Sequence, residues 1–170
     1  MEVPYLYILC GLPFAGKSTL AHELEKRLGI IYVGLDRIND MFGVGLHGAT
    51  IPSEQWDRTY TEAYRQVDMF LAARHDVLFD AANFTRAQRD FQRTIADKHA
   101  AQSLVIYVEV PLMEVRRRWL VNRSTKQRHD VRDENFAHVV DCFEPPTTEE
   151  PFISYNQAQP LDEWIQQHFF

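Results

Sequence analysis

Gly11-Leu12-Pro13-Phe14-Ala15-Gly16-Lys17-Ser18, with Thr19 behind it, is the stretch whose reading decides the fold. It satisfies G-x-x-x-x-G-K-[ST], the pattern of a phosphate-cradling P-loop. Two glycines let the backbone turn tightly and bring its N–H groups against phosphate oxygens with no Cβ in the way. Lys17 is expected to reach the β- and γ-phosphates, and the Ser18 hydroxyl to ligate a bridging Mg²⁺. Thr19 and the helix behind it add the positive end of a helix dipole. The whole loop (Gly11, Pro13, Phe14, Ala15, Gly16, Lys17, Ser18, Thr19) is therefore the expected seat of a nucleoside triphosphate.

The flanks supply the context the motif requires. Tyr5 to Cys10 reads as a buried strand, and Thr19 to Leu28 as a helix with Leu20, Leu24 and Leu28 on one face. Gly29 stops that helix. Ile30 to Leu35 reads as a second strand ending at Asp36-Arg37, before a segment holding Gly43, Gly45 and Gly48. Ser53 is a candidate N-cap for a long helix with Trp56, Tyr60, Tyr64, Val67 and Leu71 as its buried stripe. Asp76 to Asp80 is a third strand, Thr85 a candidate cap for a helix reaching about Ala100, and Leu104 to Val110 a fourth strand ended by Pro111. An arginine-rich helix spans about 113 to 122, and Asp133 is a candidate cap for another over 134–143. Pro145-Pro146 breaks the chain before a fifth strand, Phe152 to Tyr155. A last helix over 161–169 turns Leu161, Trp164, Ile165 and Phe169 inward. Strands alternating with helices predict an α/β fold: a parallel sheet covered on both faces. Ligands of such sheets sit at the carboxyl ends of strands, where Gly11, Asp36 and Asp80 all fall.

At 170 residues, 45% hydrophobic and 25% charged, the chain fits one domain, residues 1–170. No apolar run approaches the roughly 20 residues that span a bilayer, and Met1-Glu2-Val3-Pro4 lacks the basic start of a signal peptide. Cys10 and Cys142 are too few for a disulfide framework, and Cys10 reads as a small buried hydrophobe. A cytoplasmic, reduced setting with no membrane partner is the economical expectation. The net charge of −6 argues against general nucleic-acid affinity. Seven basic residues nevertheless fall between Arg116 and Arg132: Arg116, Arg117, Arg118, Arg123, Lys126, Arg128 and Arg132. They read either as a solvated helix face or as an anion-binding lid over about 112–135.

Val77-Leu78-Phe79-Asp80 has the form of a Walker B strand, which makes Asp80 the second metal candidate beside Ser18. A turn aspartate would look the same. Asp36 stands across from the loop, where a carboxylate can take the proton of an attacking hydroxyl; here too a turn residue is the alternative. Arg37 reads equally as an acceptor contact or a surface charge. Arg118 and Arg123, placed near one another, would neutralise charge on a moving phosphoryl group. A guanine-reading N-K-x-D is missing, since Ala96-Asp97-Lys98-His99 has the wrong order. Zinc-ligand spacing and a nucleophile elbow are also absent.

Together these residues resemble the P-loop kinases of the group that includes polynucleotide kinase domains, zeta toxins and chloramphenicol phosphotransferase. The resemblance runs from Gly11–Thr19 through Asp36 and Asp80-Ala81-Ala82-Asn83-Phe84-Thr85, with Arg86 and Arg89 downstream, to Arg118, Arg123 and Phe143-Glu144-Pro145-Pro146. It implies a three-layer fold with sheet order 2-3-1-4-5 and a small helical lid. Asp36 would be the general base, and the lid arginines Arg118 and Arg123 would grip the ATP phosphates. Asn39 stands where polynucleotide kinases carry an arginine for the substrate phosphate. The function this implies is an ATP- and Mg²⁺-dependent kinase acting on a hydroxyl of a small molecule or a nucleic-acid end. A nucleotide-dependent switch acting through a protein partner is the alternative.

Overall fold

The computed structural model describes residues 3–45, 51–128 and 130–170. Five strands, β1 (Tyr5–Cys10), β2 (Ile31–Gly34), β3 (Val77–Asp80), β4 (Gln102–Val108) and β5 (Phe152–Tyr155), pair in parallel in the order β2-β3-β1-β4-β5. This is the order the resemblance implies. Among the described residues seven helices accompany them: α1 (Lys17–Leu28), α2 (Leu35–Met41), α3 (Ser53–Ala72), α4 (Arg86–Lys98), α5 (Leu112–Thr125), α6 (Asp133–Cys142) and α7 (Leu161–Phe169).

The central strands bury both faces, so their sequences read as continuous apolar runs rather than as alternation. Tyr7, Leu9, Tyr32, Leu78 and Ile106 look to one side, where they meet Leu20 and Leu24 of α1, Val115 of α5, Phe136 of α6 and Trp164 of α7. Leu6, Ile8, Val33, Phe79 and Val105 look to the other, against Ile38 of α2, Val67 and Leu71 of α3 and Ala96 of α4. The P-loop, Asp36 and Asp80 emerge at the carboxyl edge of this two-sided core. Among the described residues no helix is long and apolar enough to cross a membrane.

Several elements differ from the sequence reading. The second strand stops at Gly34, and Leu35 opens a seven-residue helix, so Asp36 stands in the first turn of α2 rather than at a strand tip. Leu35 and Ile38, three apart, are its buried face. Pro52, not Ser53, is the N-cap of α3, and Arg132, not Asp133, that of α6; both expected caps are first helical residues with no capping bond in place. The deepest stripe of α3 is Thr59, Ala63, Val67 and Leu71, with Trp56, Tyr60 and Tyr64 half-buried beside it. Strand β4 begins two residues earlier and ends two earlier than expected, because pairing with β1 (Tyr5 against Gln102) sets its register. Thr85 caps α4 as predicted, in a reciprocal box with Gln88. Cys10 is buried, and that burial pushes its thiol up to about 11. Gly48 and the Met1-Glu2 start lie outside the described residues.

Candidate active site

The loop between β1 and α1 takes its shape from two glycines and one strained residue. Gly11 has φ 148°, and a Cβ there would lie 2.7 Å from the Val108 carbonyl oxygen where β4 passes. Gly16 has φ 100° and precedes α1 as its N-cap. Phe14, at φ 63°, occupies the left-handed region without being glycine. The Lys17 ammonium donates to the carbonyl oxygens of Gly11 (2.9 Å) and Leu12 (3.0 Å) and so closes the loop on itself. Burial lowers the lysine's pKa, and Asp80 is the chief charge opposing that fall.

Asp80 ends β3 beside the loop. Its Oδ2 accepts from Ser18 Oγ at 3.0 Å and from the Tyr32 hydroxyl at 3.0 Å. The two residues expected to share a metal are thus in direct contact. They fit Mg²⁺ chemically, being hard oxygen donors at the wall of a cleft. Among the described residues no group of three or more His, Cys, Asp or Glu gathers as a closed metal site. A P-loop Mg²⁺ does not need one, since water and phosphate oxygens fill most of its octahedron.

Lys17, Ser18, Asp36 and Asp80 line a cleft of about 730 Å³. It is also lined by Ile51, just before α3, and Trp56 in the first turn of α3, by Ala82 and Phe84 from the loop after β3, and by Arg128, Asp130, Val131 and Arg132 between α5 and α6 with Asn135 at the start of α6. A second cavity borders Ser18 and Thr19 on the other side of Asp36, against His22, Arg37, Asp40 and the lid residues Arg123 and Lys126. Asp36 is exposed and lines both. Arg37 makes a two-pronged bond to Glu25 (2.8 Å each) and lies 4.3 Å over the Tyr32 ring, fastening α2 to α1. Asn39, in the position of the expected arginine, is buried and accepts from Thr59 Oγ1 at 2.6 Å.

The two lid arginines are not brought together. Arg118 donates to the Phe14 and Ala15 carbonyl oxygens (3.4 and 3.2 Å) and to Gln157 (2.8 Å), so it supports the loop from outside. Arg123 pairs with Asp133 and stacks 4.2 Å over Trp119, which itself stacks on Phe136. The reason is helical geometry: five residues turn about 140° around the axis, so the two project from different sides. Arg128 was indistinguishable within the basic run, yet it donates to Thr19 Oγ1 at 3.3 Å and borders both cavities. Gln157, which also donates to the Ala15 carbonyl at 2.8 Å, carried no signal in sequence. Nor did Tyr32, which reads as an ordinary strand residue. Arg86 and Arg89, part of the resemblance, lie behind the site. Arg86 pairs with Asp90 at the surface, and Arg89 is fully buried against Glu150.

A protein-family model described as an AAA domain matches residues 6–146. The L-seryl-tRNA(Sec) kinase of Methanococcus maripaludis is 25% identical over 171 residues, covering 92% of this chain and 61% of that protein. The chain thus spans under two thirds of the length of this curated relative. Among solved structures, Kti12 of Chaetomium thermophilum in complex with ADP-AlF3 superposes with a TM-score of 0.70 at 18% identity, over 95% of this chain and 97% of that one. APS kinase CysC of Mycobacterium tuberculosis, in complex with AMPPNP and APS, gives a TM-score of 0.67 at 16% identity, over 98% and 96%. These two likenesses establish the fold.

Proposed function

This chain belongs to the AAA domain family, and we propose that it is an ATP- and Mg²⁺-dependent kinase that phosphorylates a hydroxyl of a small molecule or a nucleic-acid end. The observation that carries the reading is Asp36. An exposed carboxylate lies across the same cleft as Lys17, Ser18 and Asp80, where the acceptor of a phosphoryl group must enter. A hydrolytic switch needs no such base. The relative named for L-seryl-tRNA(Sec) is a kinase by name, which supports the reaction class.

In this reading ATP displaces Lys17 from the carbonyls of Gly11 and Leu12, and the ammonium turns to the β- and γ-phosphates. Ser18 and Asp80 would hold Mg²⁺, which when bound offsets the phosphate charge. Asp36 accepts the proton of the acceptor hydroxyl as its oxygen bonds to the γ-phosphorus. The bond to the β–γ bridging oxygen breaks and ADP leaves. Arg128, at the lid tip beside Thr19, adds positive charge where the phosphoryl group passes.

A small molecule is the better fit for the acceptor. The only polar side-chain group on the wall of Ile51, Trp56, Ala82 and Phe84 is the Trp56 indole N–H, so the body of the acceptor meeting it is apolar or flat. The net charge of −6 disfavours a nucleic-acid backbone.

The test is Asp36→Asn, which keeps size and polarity but cannot take a proton. ATP·Mg²⁺ affinity should stay within a few-fold of wild type. Transfer to a hydroxyl acceptor, found by screening labelled ATP against alcohols and 5′-hydroxyl oligonucleotides, should fall roughly 10²–10⁴-fold. Lost ATP binding with transfer per bound ATP intact would make Asp36 a metal ligand. Undiminished transfer would leave it a turn residue.

A further inference from the structure

The geometry points to Tyr32 as a positioning residue for the metal carboxylate, seated in a slot that Gly34 keeps open. The inference rests on the reading of Ser18 and Asp80 as the metal pair. Strand periodicity places Tyr32, Gly34 and the partners Leu78 and Asp80 on one face of the β2–β3 pair, Tyr32 beside Leu78 and Gly34 beside Asp80. To reach Asp80 the phenol must therefore run along its own strand, over Gly34. It does: a Cβ on Gly34 would lie 2.2 Å from the Tyr32 hydroxyl oxygen and 2.4 Å from the ring carbon that bears it.

Gly34 has φ −129° and ψ 140°, extended backbone that any residue adopts. Nothing in its conformation asks for glycine; the phenol does. The ring is held on both sides, His22 standing edge-on at 5.2 Å and the Arg37 guanidinium lying 4.3 Å away. Arg37 is itself anchored to Glu25. With the ring fixed, the hydroxyl donates to Asp80 Oδ2 at 3.0 Å, the same oxygen that accepts from Ser18. Neither bond uses Oδ1. When Ser18 turns its oxygen to a metal, Tyr32 remains as the donor that keeps the carboxylate aimed. Outer donors of this kind orient carboxylate ligands and raise metal affinity.

Calorimetric titration of ATP against wild type, Tyr32→Phe, Gly34→Ala and the double variant decides this, run once with Mg²⁺ and once with EDTA. No acceptor is needed, so failure to find phosphoryl transfer would count against the kinase reading and leave this result standing. The expected pattern is equal affinity in EDTA, and a gain from Mg²⁺ that shrinks roughly 10-fold in each single variant. Tyr32→Phe deletes the hydroxyl, while Gly34→Ala displaces it, so the double variant should lose no more than either alone. Equal gains from Mg²⁺ in all four proteins would overturn the proposal. So would a loss that is the same with and without metal, the mark of a merely packing ring, or losses that add. Should Gly34→Ala fail to fold, Tyr32→Phe, which keeps the packed ring, decides alone.

Discussion

Lys17 donates to two carbonyls of its own loop, and in the proposed reading nucleotide binding turns the ammonium from them toward phosphate. Lys17→Ala removes both states together. The loop then relies on its glycines and on Arg118, and the core beneath is untouched, so melting temperature should hold near wild type. Turnover of ATP should fall roughly 100-fold, the worth of about 3 kcal/mol of charge stabilisation in the transition state. Wild-type turnover in the folded variant would sink the P-loop assignment. At this scale the loop and Asp80 were legible because motif spacing and the end of β3 fix them, whereas Asp36 was singled out as a strand tip and stands instead in the first turn of α2. Tyr32 was not, because a half-polar aromatic on a buried strand has no pattern that marks the direction of its hydroxyl. Asn39 was readable as a departure, but its bond to Thr59, twenty residues on, was not.

Helix α5 shows what an element adds beyond its residues. It carries Arg118 toward the loop and Arg123 toward α6, and the Asn122 side chain holds the turn after it by bonding both the N–H and the carbonyl of Arg128 (2.9 and 3.1 Å). That turn is what delivers Arg128 to Thr19. Arg118→Ala should therefore weaken ATP binding about as much as turnover, because it frees the Phe14 and Ala15 carbonyls on which the loop is braced. Arg123→Ala should leave ATP affinity nearly unchanged and lower turnover several-fold, since it loosens α5 from α6 beside Asp36. A loss of ATP affinity in Arg123→Ala as large as its loss of turnover would mean that Arg123 holds the nucleotide directly, and an unchanged ATP affinity in Arg118→Ala would remove the bracing role. The sequence located this basic element but not the division of labour along it. Composition counts charges, whereas the helical angle and the distant carbonyls decide which ones reach the site. The same limit explains α2: seven residues with two buried apolar positions merge into the strand before them.

At the scale of the whole molecule, the segment from α6 to β5 is bound to the opposite layer by charge. Glu150 lies just before β5 and is buried; Arg89 on α4 meets it at 2.7 Å with both side chains at 1% exposure or less, and Arg93 joins them. Arg89 also donates to the Asn83 and Phe84 carbonyls (3.2 and 3.3 Å), in the loop whose Ala82 and Phe84 line the cleft. One buried cation thus joins the sheet edge, α4 and the loop after Asp80. Burial alone would raise the Glu150 pKa, but the bonds from Arg89 and Arg93 outweigh it and hold the carboxyl below its ordinary value of 4.5. Glu150→Gln leaves Arg89 buried without its counter-charge, which should destabilise the fold by about 3–5 kcal/mol. For a chain of this size that is a fall of roughly 6–20 °C in melting temperature. Because the folded pKa is depressed, the carboxylate's contribution is complete above the unfolded value and is lost as pH falls through the folded one. The gap between wild type and variant should accordingly be widest near neutrality and close as pH drops below about 4.5. A gap that stays constant from neutral to acid pH would show that Glu150 acts through packing rather than charge. A melting temperature equal to wild type at neutral pH would remove the ion pair from the account of what joins the layers.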